Sequence, residues 1–308
     1  MGGVPDHPTF DLDGLVRQCL DEDLGGIGDV TSEATVPEGA RAEGRFVAKE
    51  SGVLAGVQVA ERVFECVDAS ISRTWNATDG AHVERGDVIG TLEGPARTVL
   101  VAERLALNFM QRMSGIATLT SRMVDQLGGS QSKLLDTRKT VPGLRVLDKW
   151  AVVIGGGKGH RMGLYDMMLI KDNHIAASGG IANALSGADA YLNDKRSAEK
   201  VIPVEIEVET AAQVDEVLSY LDAHPTTSLT RVMLDNMVIR SEDGTYDTSL
   251  LEESVRRIGG RLETEASGNI NIDSVESVGR TGVTFISSGA LTHSVKALDI
   301  SLKLKTHA

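Results

Sequence analysis

Short apolar runs that end in polar or charged residues recur through the second half of the chain. From Lys133 onward they read KLLDTR, AVVIGGG, MMLIKDN, VIPVEIEV, RVMLDNM, RLETEASG and VTFISSG. Amphipathic stretches, such as residues 210–221 and 250–260, lie between several of them and have the apolar spacing of a helix face. This alternation predicts parallel strands with helical crossovers, in a barrel or an open sheet. Six or more strand ends meeting at one ligand favour the barrel.

The first part of the chain has a different pattern. Residues 10–24 and 59–67 have helical spacing, and residues 42–95 otherwise form short β-rich pieces, with a hairpin turn predicted at residues 85–87. A long helical pattern over 100–127 follows, and Gly115 is expected to divide it. We therefore predict an N-terminal α/β sandwich domain (1–115), with the tail 292–308 packed against it, and an irregular, incomplete α/β barrel (116–291).

The charge is unevenly distributed. The chain has a formal net charge of −13, which argues against nucleic acid or an anionic membrane as a partner. Residues 133–174 nevertheless contain eight Lys/Arg and four Asp, a local charge of +4. A basic segment in an acidic protein indicates a small polyanionic ligand, although a solvated basic face is the alternative.

Other compositional features narrow the class of protein further. No apolar run reaches the ~18 residues of a membrane-spanning helix. Cys19 and Cys66 lack the spacing of a zinc site, and a reducing compartment is expected. The expected location is cytoplasmic, or plastid or mitochondrial if a transit peptide has been removed.

The strand ends carry cations suited to anionic groups. Arginine can grip a planar carboxylate with two hydrogen bonds, and lysine suits phosphate. A histidine beside them can donate a hydrogen bond near neutral pH. The candidates are Arg138, Lys139, His160, Arg161 and Lys171. Internal salt bridges to nearby aspartates are the alternative.

Acidic residues and Ser-Gly pairs end other runs. Glu205, Glu207 and Glu209 alternate on one strand and share a face. Glu207 and Asp235 have the carboxylates to hold Mg²⁺, although an exposed strand face is the alternative. Ser-Gly pairs before helix starts, with a histidine beyond, are typical of a phosphate cup, and they are Ser267, Gly268, Ser288, Gly289 and His293.

Residues 136–174, DTRKTVPGLRVLDKWAVVIGGGKGHRMGLYDMMLIKDNH, resemble the signature stretch of quinolinate phosphoribosyltransferase, also called nicotinate-nucleotide pyrophosphorylase (carboxylating). The resemblance continues through VEIEVE, MLDNM, EASGN and ISSGALTHSVKALDISL and is greatest to plant or algal members. It implies transfer of phosphoribosyl from phosphoribosyl pyrophosphate to quinolinate, with loss of CO₂, to give nicotinate mononucleotide and pyrophosphate. It also implies Mg²⁺ and a homodimer, or a higher homo-oligomer.

The resemblance also implies roles for individual residues. It implies that Arg104 reaches the partner subunit's site. The quinolinate carboxylates would meet Arg138, His160, Arg161 and Lys171. Lys139 would contact phosphoribosyl pyrophosphate, Glu207 and Asp235 the ribose and Mg²⁺, and Ser267, Gly268, Ser288, Gly289 and His293 the phosphate.

Gly159 departs from the family pattern, which usually has Asn at this place. Glycine gives the backbone of the loop more conformational freedom, so the rigidity of the loop does not follow from the resemblance. Two rivals remain. One is a paralogous phosphoribosyltransferase acting on another aromatic acid. The other is a carrier module, because GAHVERGDVIGTLEG resembles a lipoyl-type hairpin, but Arg85 stands where that hairpin carries lysine.

Overall fold

The computed structural model describes residues 7–194 and 202–307. The helices in this described part are α1 (Leu12–Leu24), α2 (Val30–Thr35), α3 (Val57–Val67), α4 (Ala96–Leu127), α5 (Arg145–Ile154), α6 (Asp172–Ser178), α7 (Ile181–Asp194), α8 (Ala211–Ala223), α9 (Ser249–Ile258), α10 (Val275–Gly279) and α11 (Ala290–His293). The strands are β1 (Arg41–Ala48), β2 (Gly52–Val53), β3 (Ser72–Trp75), β4 (His82–Val83), β5 (Val88–Pro95), β6 (Lys133–Leu135), β7 (Met168–Ile170), β8 (Val204–Val208), β9 (Leu229–Asp235), β10 (Ile239–Arg240), β11 (Tyr246–Asp247), β12 (Glu263–Ser267), β13 (Phe285–Ser287) and β14 (Ile300–His307).

The chain forms two compact units. The first contains the described residues up to 121, residues 146–156 and the segment from 295 to 307. The second contains residues 122–145 and the described residues between 157 and 294. None of the helices in the described part of the chain combines the length and apolar composition needed to cross a bilayer.

An antiparallel sheet in the order β14-β1-β5-β3 forms the centre of the first unit. Strand β1 alternates exposed and buried positions, which is typical of a sheet with one face on a core. Strand β14 pairs with β1 along eight residues, so the C-terminal segment belongs to this sheet. The expected hairpin around residues 85–87 is wrong: the turn exists, but β4 pairs with β2 and β5 pairs with β1 and β3.

Helix α4 is continuous, so the prediction that Gly115 divides it is wrong. The glycine serves close packing instead. A Cβ atom at this position would lie 2.3 Å from the carbonyl oxygen of Lys296, within the same unit. Glycine is therefore required because a neighbouring backbone approaches the helix.

A six-stranded parallel sheet in the order β6-β13-β12-β9-β8-β7 forms the second unit. Read from its other edge, the order is β7-β8-β9-β12-β13-β6. Strands that follow one another along the chain are therefore neighbours in the sheet, as in a barrel, with β7 and β6 at the two edges. Within the described residues, no pairing between β6 and β7 closes it. This is the incomplete α/β barrel that the alternating pattern predicts.

The run AVVIGGG is not a barrel strand, as the pattern had suggested. Its apolar part forms the end of α5, in the first unit. The backbone after it joins β6 through a bridge between Leu135 and Lys158, in which the Lys158 N–H donates to the carbonyl of Leu134 at 2.8 Å. Period-2 and period-3.6 patterns are hard to separate in so short an apolar run.

Candidate active site

The parallel strands of the second unit end at one edge, and the predicted polar residues lie there. Asp136 follows β6, Lys171 follows β7, and Asp235 and Ser267 are the last residues of β9 and β12. Glu207 lies one residue before the end of β8. Because the carboxyl ends of parallel strands share an edge, this topology brings the side chains to one mouth of the incomplete barrel.

Arg138 and Arg161 are half-buried and lie near each other. The Nε of Arg138 is buried and has no hydrogen-bond partner. Burial, and then the positive charge of Arg138, lower the pKa of the Arg161 guanidinium. Within the described residues no carboxylate forms an ion pair with either arginine. Two such cations form a site that favours an anionic ligand.

The loop that carries His160 and Arg161 is held by carboxylates. The backbone N–H of His160 donates to Asp136 Oδ1 at 2.8 Å. Asp166 accepts the N–H groups of Met162 and Gly163, at 2.7 and 2.9 Å. Because acceptors on both sides fix this loop, the position of Arg161 is defined before any ligand binds.

His160 lies in a buried cluster that it forms with Glu205, Glu265 and Arg231. Its Nε2 is 3.1 Å from Glu205 Oε2 and 3.3 Å from Glu265 Oε2, and both glutamates are fully buried. Arg231 Nη1 bonds to Glu265 Oε2 at 3.0 Å. The N–H of Arg161 donates to the ring's Nδ1 at 2.7 Å. We call these four residues the buried cluster.

The environment of His160 differs from the expected one. Both ring nitrogens have partners inside the protein, and only 6% of the side chain is exposed. A direct hydrogen bond from this ring to a substrate would require one of these bonds to break. The role of His160 as a direct substrate contact stays a prediction.

Burial would lower the pKa of His160, but its hydrogen bonds to the two glutamates outweigh burial and raise it to about 9. Burial, followed by the charge of Glu265, raises the pKa of Glu205 to about 7. Since Nδ1 accepts the Arg161 N–H, that nitrogen carries no hydrogen, and the ring hydrogen and the extra proton are both held between Nε2 and the two carboxylates that face it. These groups therefore hold a proton at neutral pH.

The buried cluster also supplies a possible metal-ligand set. Within the described residues, His160, Glu205 and Glu265 are the only group of three such side chains whose ligand atoms lie within 4.8 Å of one another. Hydrogen bonds from the imidazole and from Arg231 already account for these contacts. The geometry is thus explained without a metal ion.

The predicted acids at the barrel mouth have separate partners. Lys171 Nζ forms a hydrogen-bonded ion pair with Glu207 Oε2. Asp235 Oδ2 accepts from the side chain of Asn236 at 2.7 Å. In the sheet register Glu207 lies beside Met233, two residues before Asp235, so both carboxylates share one face of neighbouring strands.

Lys139 and His293 converge above Gly289. A Cβ atom on Gly289 would lie 2.8 Å from Lys139 Cδ and 2.9 Å from His293 Cδ2. The hydroxyl of Thr292 donates to the carbonyl of Lys139 at 2.7 Å and links the two segments. The structure therefore brings a lysine, a histidine and a bare backbone position together.

The other residues predicted to form the phosphate cup are Ser267, Gly268 and Ser288, and different contacts hold them. The backbone of Ser267 pairs with that of Asp235, and Gly268 follows it at the strand end. Ser288 is buried, and its hydroxyl and N–H donate to the carbonyls of Ile270 and Leu135, at 2.6 and 3.1 Å. Ser288 thus fixes the loop, while its role toward phosphate stays a prediction.

Comparison with known proteins identifies the family. Family models described as the N-terminal and C-terminal domains of quinolinate phosphoribosyl transferase match residues 29–114 and 116–303. The chain belongs to the quinolinate phosphoribosyltransferase family. It is 54% identical to quinolinate phosphoribosyltransferase [decarboxylating] 1b of Nicotiana tabacum, over 98% of this chain and 85% of the relative.

Other members of the quinolinate phosphoribosyltransferase family agree with this assignment. The chloroplastic nicotinate-nucleotide pyrophosphorylase [carboxylating] of Arabidopsis thaliana is 53% identical over 98% of this chain and 85% of its own length. NadC from Streptococcus pyogenes superposes with a TM-score of 0.85 at 36% identity and covers 99% of this chain and 100% of that one. Both the fold and the resemblance to plant members are confirmed.

The sequence analysis did not identify Glu265 and Arg231, two residues of the buried cluster, as candidate site residues. A signal was present, because Glu263 and Glu265 alternate in the run RLETEASG as Glu205 and Glu207 do in VEIEVE. In the register, Glu205 lies beside Arg231, which lies beside Glu263. The strand pairing that joins them is not visible in one sequence.

Arg104 lies in the first unit and Gly159 in the second, and both residues are exposed. Arg104 is exposed on α4 in the first unit, and no described residue forms a hydrogen bond or ion pair with its side chain. Gly159 is exposed, and a Cβ atom there would meet nothing within 4 Å. The fold itself therefore does not require glycine at 159.

Proposed function

We propose that this protein transfers phosphoribosyl from phosphoribosyl pyrophosphate to quinolinate with decarboxylation. The products are nicotinate mononucleotide, pyrophosphate and CO₂. The observation that carries the proposal is the pair Arg138 and Arg161, which lack carboxylate partners among the described residues at the mouth of a barrel of this family. The names of the plant relatives, which include "decarboxylating", agree with it.

Quinolinate is a dianion, and the cations at the mouth suit it. Arg138 and Arg161 would each grip a carboxylate in the bidentate manner that a planar guanidinium favours. Lys171 would supply a third positive charge beside them. Its ion pair with Glu207 keeps the ammonium group in place while 42% of the side chain stays exposed.

Phosphoribosyl pyrophosphate would bind on the other side of the mouth. Lys139, His293 and the backbone of Gly289 form a concave group suited to phosphate oxygens. Ser267, Gly268 and Ser288 complete the proposed cup from neighbouring strand ends. The backbone N–H groups of Gly289 and Ala290, at the N-terminus of the short helix α11, have no partner within that helix.

Glu207 and Asp235 fit the Mg²⁺ proposed for this site. The ion prefers one or two carboxylates together with water and substrate oxygens. The Oε1 atom of Glu207 has no hydrogen-bond partner among the described residues, and Asp235 lies on the same face of the next strand. When bound, Mg²⁺ would neutralise charge that grows on the departing pyrophosphate.

The reaction joins the pyridine nitrogen to the anomeric carbon while the bond to pyrophosphate breaks. The chain's main contribution is to hold the two anionic substrates in line. Because binding already fixes their relative position, less entropy is lost when the transition state forms. Lys139 stabilises the leaving pyrophosphate, and Glu207 and Asp235 stabilise positive charge on the sugar. The bond from the ring to the carboxylate next to the nitrogen then breaks and CO₂ leaves. Its electron pair stays on that ring carbon, where the positive nitrogen beside it stabilises the charge, and a proton from water takes the place of the carboxylate.

The active unit is proposed to be a homodimer in which Arg104 enters the partner subunit's site. Arg104 is exposed and lacks a partner within the described chain. Leu164 and Tyr165, near Arg161 in sequence, are 72% and 50% exposed, which supports an interface at that loop. The chloroplastic and mitochondrial names of plant relatives support an organellar location.

A paralogous transferase acting on another aromatic acid is the second candidate. The experiment that separates the two is a product assay of the purified protein with phosphoribosyl pyrophosphate, Mg²⁺ and either quinolinate or nicotinate. The proposal predicts nicotinate mononucleotide from quinolinate alone. Equal or faster turnover of nicotinate would favour the second candidate.

A further inference from the structure

The buried cluster adjoins the proposed quinolinate site, because its member His160 precedes Arg161 and accepts the N–H of that residue. The mechanism above gives the cluster no role. Glu265 lies on β12 beside Met233 of β9 and Phe285 of β13, on the inner face of the sheet. Its side chain is fully buried. Because this carboxylate is closed to solvent, a ligand bound at the barrel mouth does not reach it in this structure.

The contacts form a continuous path from Glu265 to Arg161. Glu265 and Glu205 both accept from the one Nε2–H of His160. That arrangement orients the ring so that Nδ1 faces the backbone N–H of Arg161, at 2.7 Å. The guanidinium of Arg161 makes one weaker contact, in which Nη1 donates to the carbonyl of Met167 at 3.4 Å.

We propose that Glu265 is a positioning residue: it holds the His160 ring, and through that ring the backbone of Arg161, where the guanidinium meets a carboxylate of quinolinate. This inference rests on the proposed function and assigns His160 to the support of the site rather than to direct contact with substrate. Arg231 contributes by fixing the same carboxylate oxygen of Glu265 that faces His160. Preorganisation of this kind strengthens binding because the arginine loses less freedom when the ligand arrives.

Glu263 provides a matched control on the same strand. It also pairs with Arg231, at 3.3 Å, but half of its side chain is exposed and it does not contact His160. A Glu263→Gln variant removes one carboxylate charge from β12 without touching the path to Arg161. Comparison with the Glu265 variants distinguishes the effect of losing an ion pair with Arg231 from the effect of losing the contact with His160.

The test measures the KM for each substrate in purified variants. Glu265→Ala should raise the KM for quinolinate about 10-fold, and Glu265→Gln, which keeps one acceptor, only about 3-fold. The KM for phosphoribosyl pyrophosphate should stay within about 2-fold in both, since its proposed ligands lie on other segments. Glu263→Gln should match the wild type in both constants.

A double-mutant cycle shows whether Glu265 acts through His160. In a His160→Ala background, Glu265→Gln should add no further change to the KM for quinolinate, because the path is already broken. This cycle also carries the test if Glu265→Ala does not fold. An effect of Glu265→Gln that persists without the His160 ring, or an equal rise of both KM values, would overturn the proposal. Wild-type protein that does not use quinolinate at all would instead refute the proposed function.

Discussion

Arg138 lies close enough to Arg161 for its charge to add to burial in lowering the pKa of the Arg161 guanidinium. Neither arginine forms an ion pair within the described residues, although the carboxylates of Glu205, Asp166 and Glu207 lie close enough to Arg161 for their charges to act on it. Placing like charges together is unfavourable unless an anion joins them. This relationship is the physical basis for a dianionic substrate.

Removing either arginine should weaken the use of quinolinate. Arg138→Ala and Arg161→Ala should each lower kcat/KM for quinolinate about 10- to 150-fold, since a hydrogen bond to a charged group contributes roughly 1.5–3 kcal/mol. Steady-state kinetics with phosphoribosyl pyrophosphate at saturation measures this effect. Arg280→Ala, which removes an arginine that is 76% exposed and paired with Glu276, is the control and should be neutral. Unchanged kinetics in both site variants would contradict the assigned roles.

Adding one methyl group at Gly289 should disturb the proposed phosphate cup. Gly289→Ala places Cβ within 3.0 Å of Lys139 and His293, so both side chains must move. We expect the KM for phosphoribosyl pyrophosphate to rise about 10-fold. Thermal unfolding should change little, because the atoms that must move belong to the exposed side chains of Lys139 and His293. Gly187→Ala, in the exposed part of α7 with nothing within 4 Å, should instead stabilise the protein by about 0.5–1 kcal/mol. If Gly289→Ala binds phosphoribosyl pyrophosphate normally, the cup lies elsewhere.

The shared site predicts rescue between two inactive proteins. Arg104→Ala and Arg161→Ala subunits, mixed under conditions that exchange subunits, should form hybrids with one intact site each. About one quarter of wild-type activity should return at a 1:1 ratio if exchange is random. Activity of the separate variants and of their mixture measures the rescue. Confirmed hybrids that stay inactive would refute the action of Arg104 in the partner's site.

The buried cluster predicts that stability falls as the pH rises. The pKa of His160, about 9, lies above the value of about 6.5 expected in an unfolded chain. Its contribution to stability is therefore fully present below about pH 6.5 and is lost as the pH rises through 9. Denaturant unfolding between pH 6.5 and 9.5 should show a fall of about 1–3 kcal/mol that is absent in His160→Gln. His82→Gln, with a ring that is 64% exposed, should behave as the wild type, and identical slopes in all three proteins would count against the shared proton.

The barrel was predictable from sequence because its strands are short, apolar and followed by polar residues. The runs at β6, β7, β8, β9, β12 and β13 meet this description. The segment AVVIGGG met it too, yet it ends a helix, since four apolar residues carry no period of their own. Glycine at position 115 is explained by the approach of the Lys296 backbone to α4, and a local pattern does not contain that contact.

The site was predictable only where the chemistry follows a strand end directly. Lys171 and Asp235 are of this kind, and the fold brings their segments to one edge. The buried cluster joins a loop to three strands through register, as when Glu205 aligns with Arg231. Such long-range pairing leaves no trace in residue spacing, so the internal partners of His160 became visible only in the structure.

The release of CO₂ tests the central claim most directly. Quinolinate labelled with ¹³C in the carboxyl group beside the ring nitrogen should be incubated with the purified protein, phosphoribosyl pyrophosphate and Mg²⁺. The account predicts one labelled CO₂ for each nicotinate mononucleotide formed, and neither product from the Arg161→Ala variant at comparable rates. A nucleotide product that retains the label, or turnover of nicotinate without any of quinolinate, would contradict it.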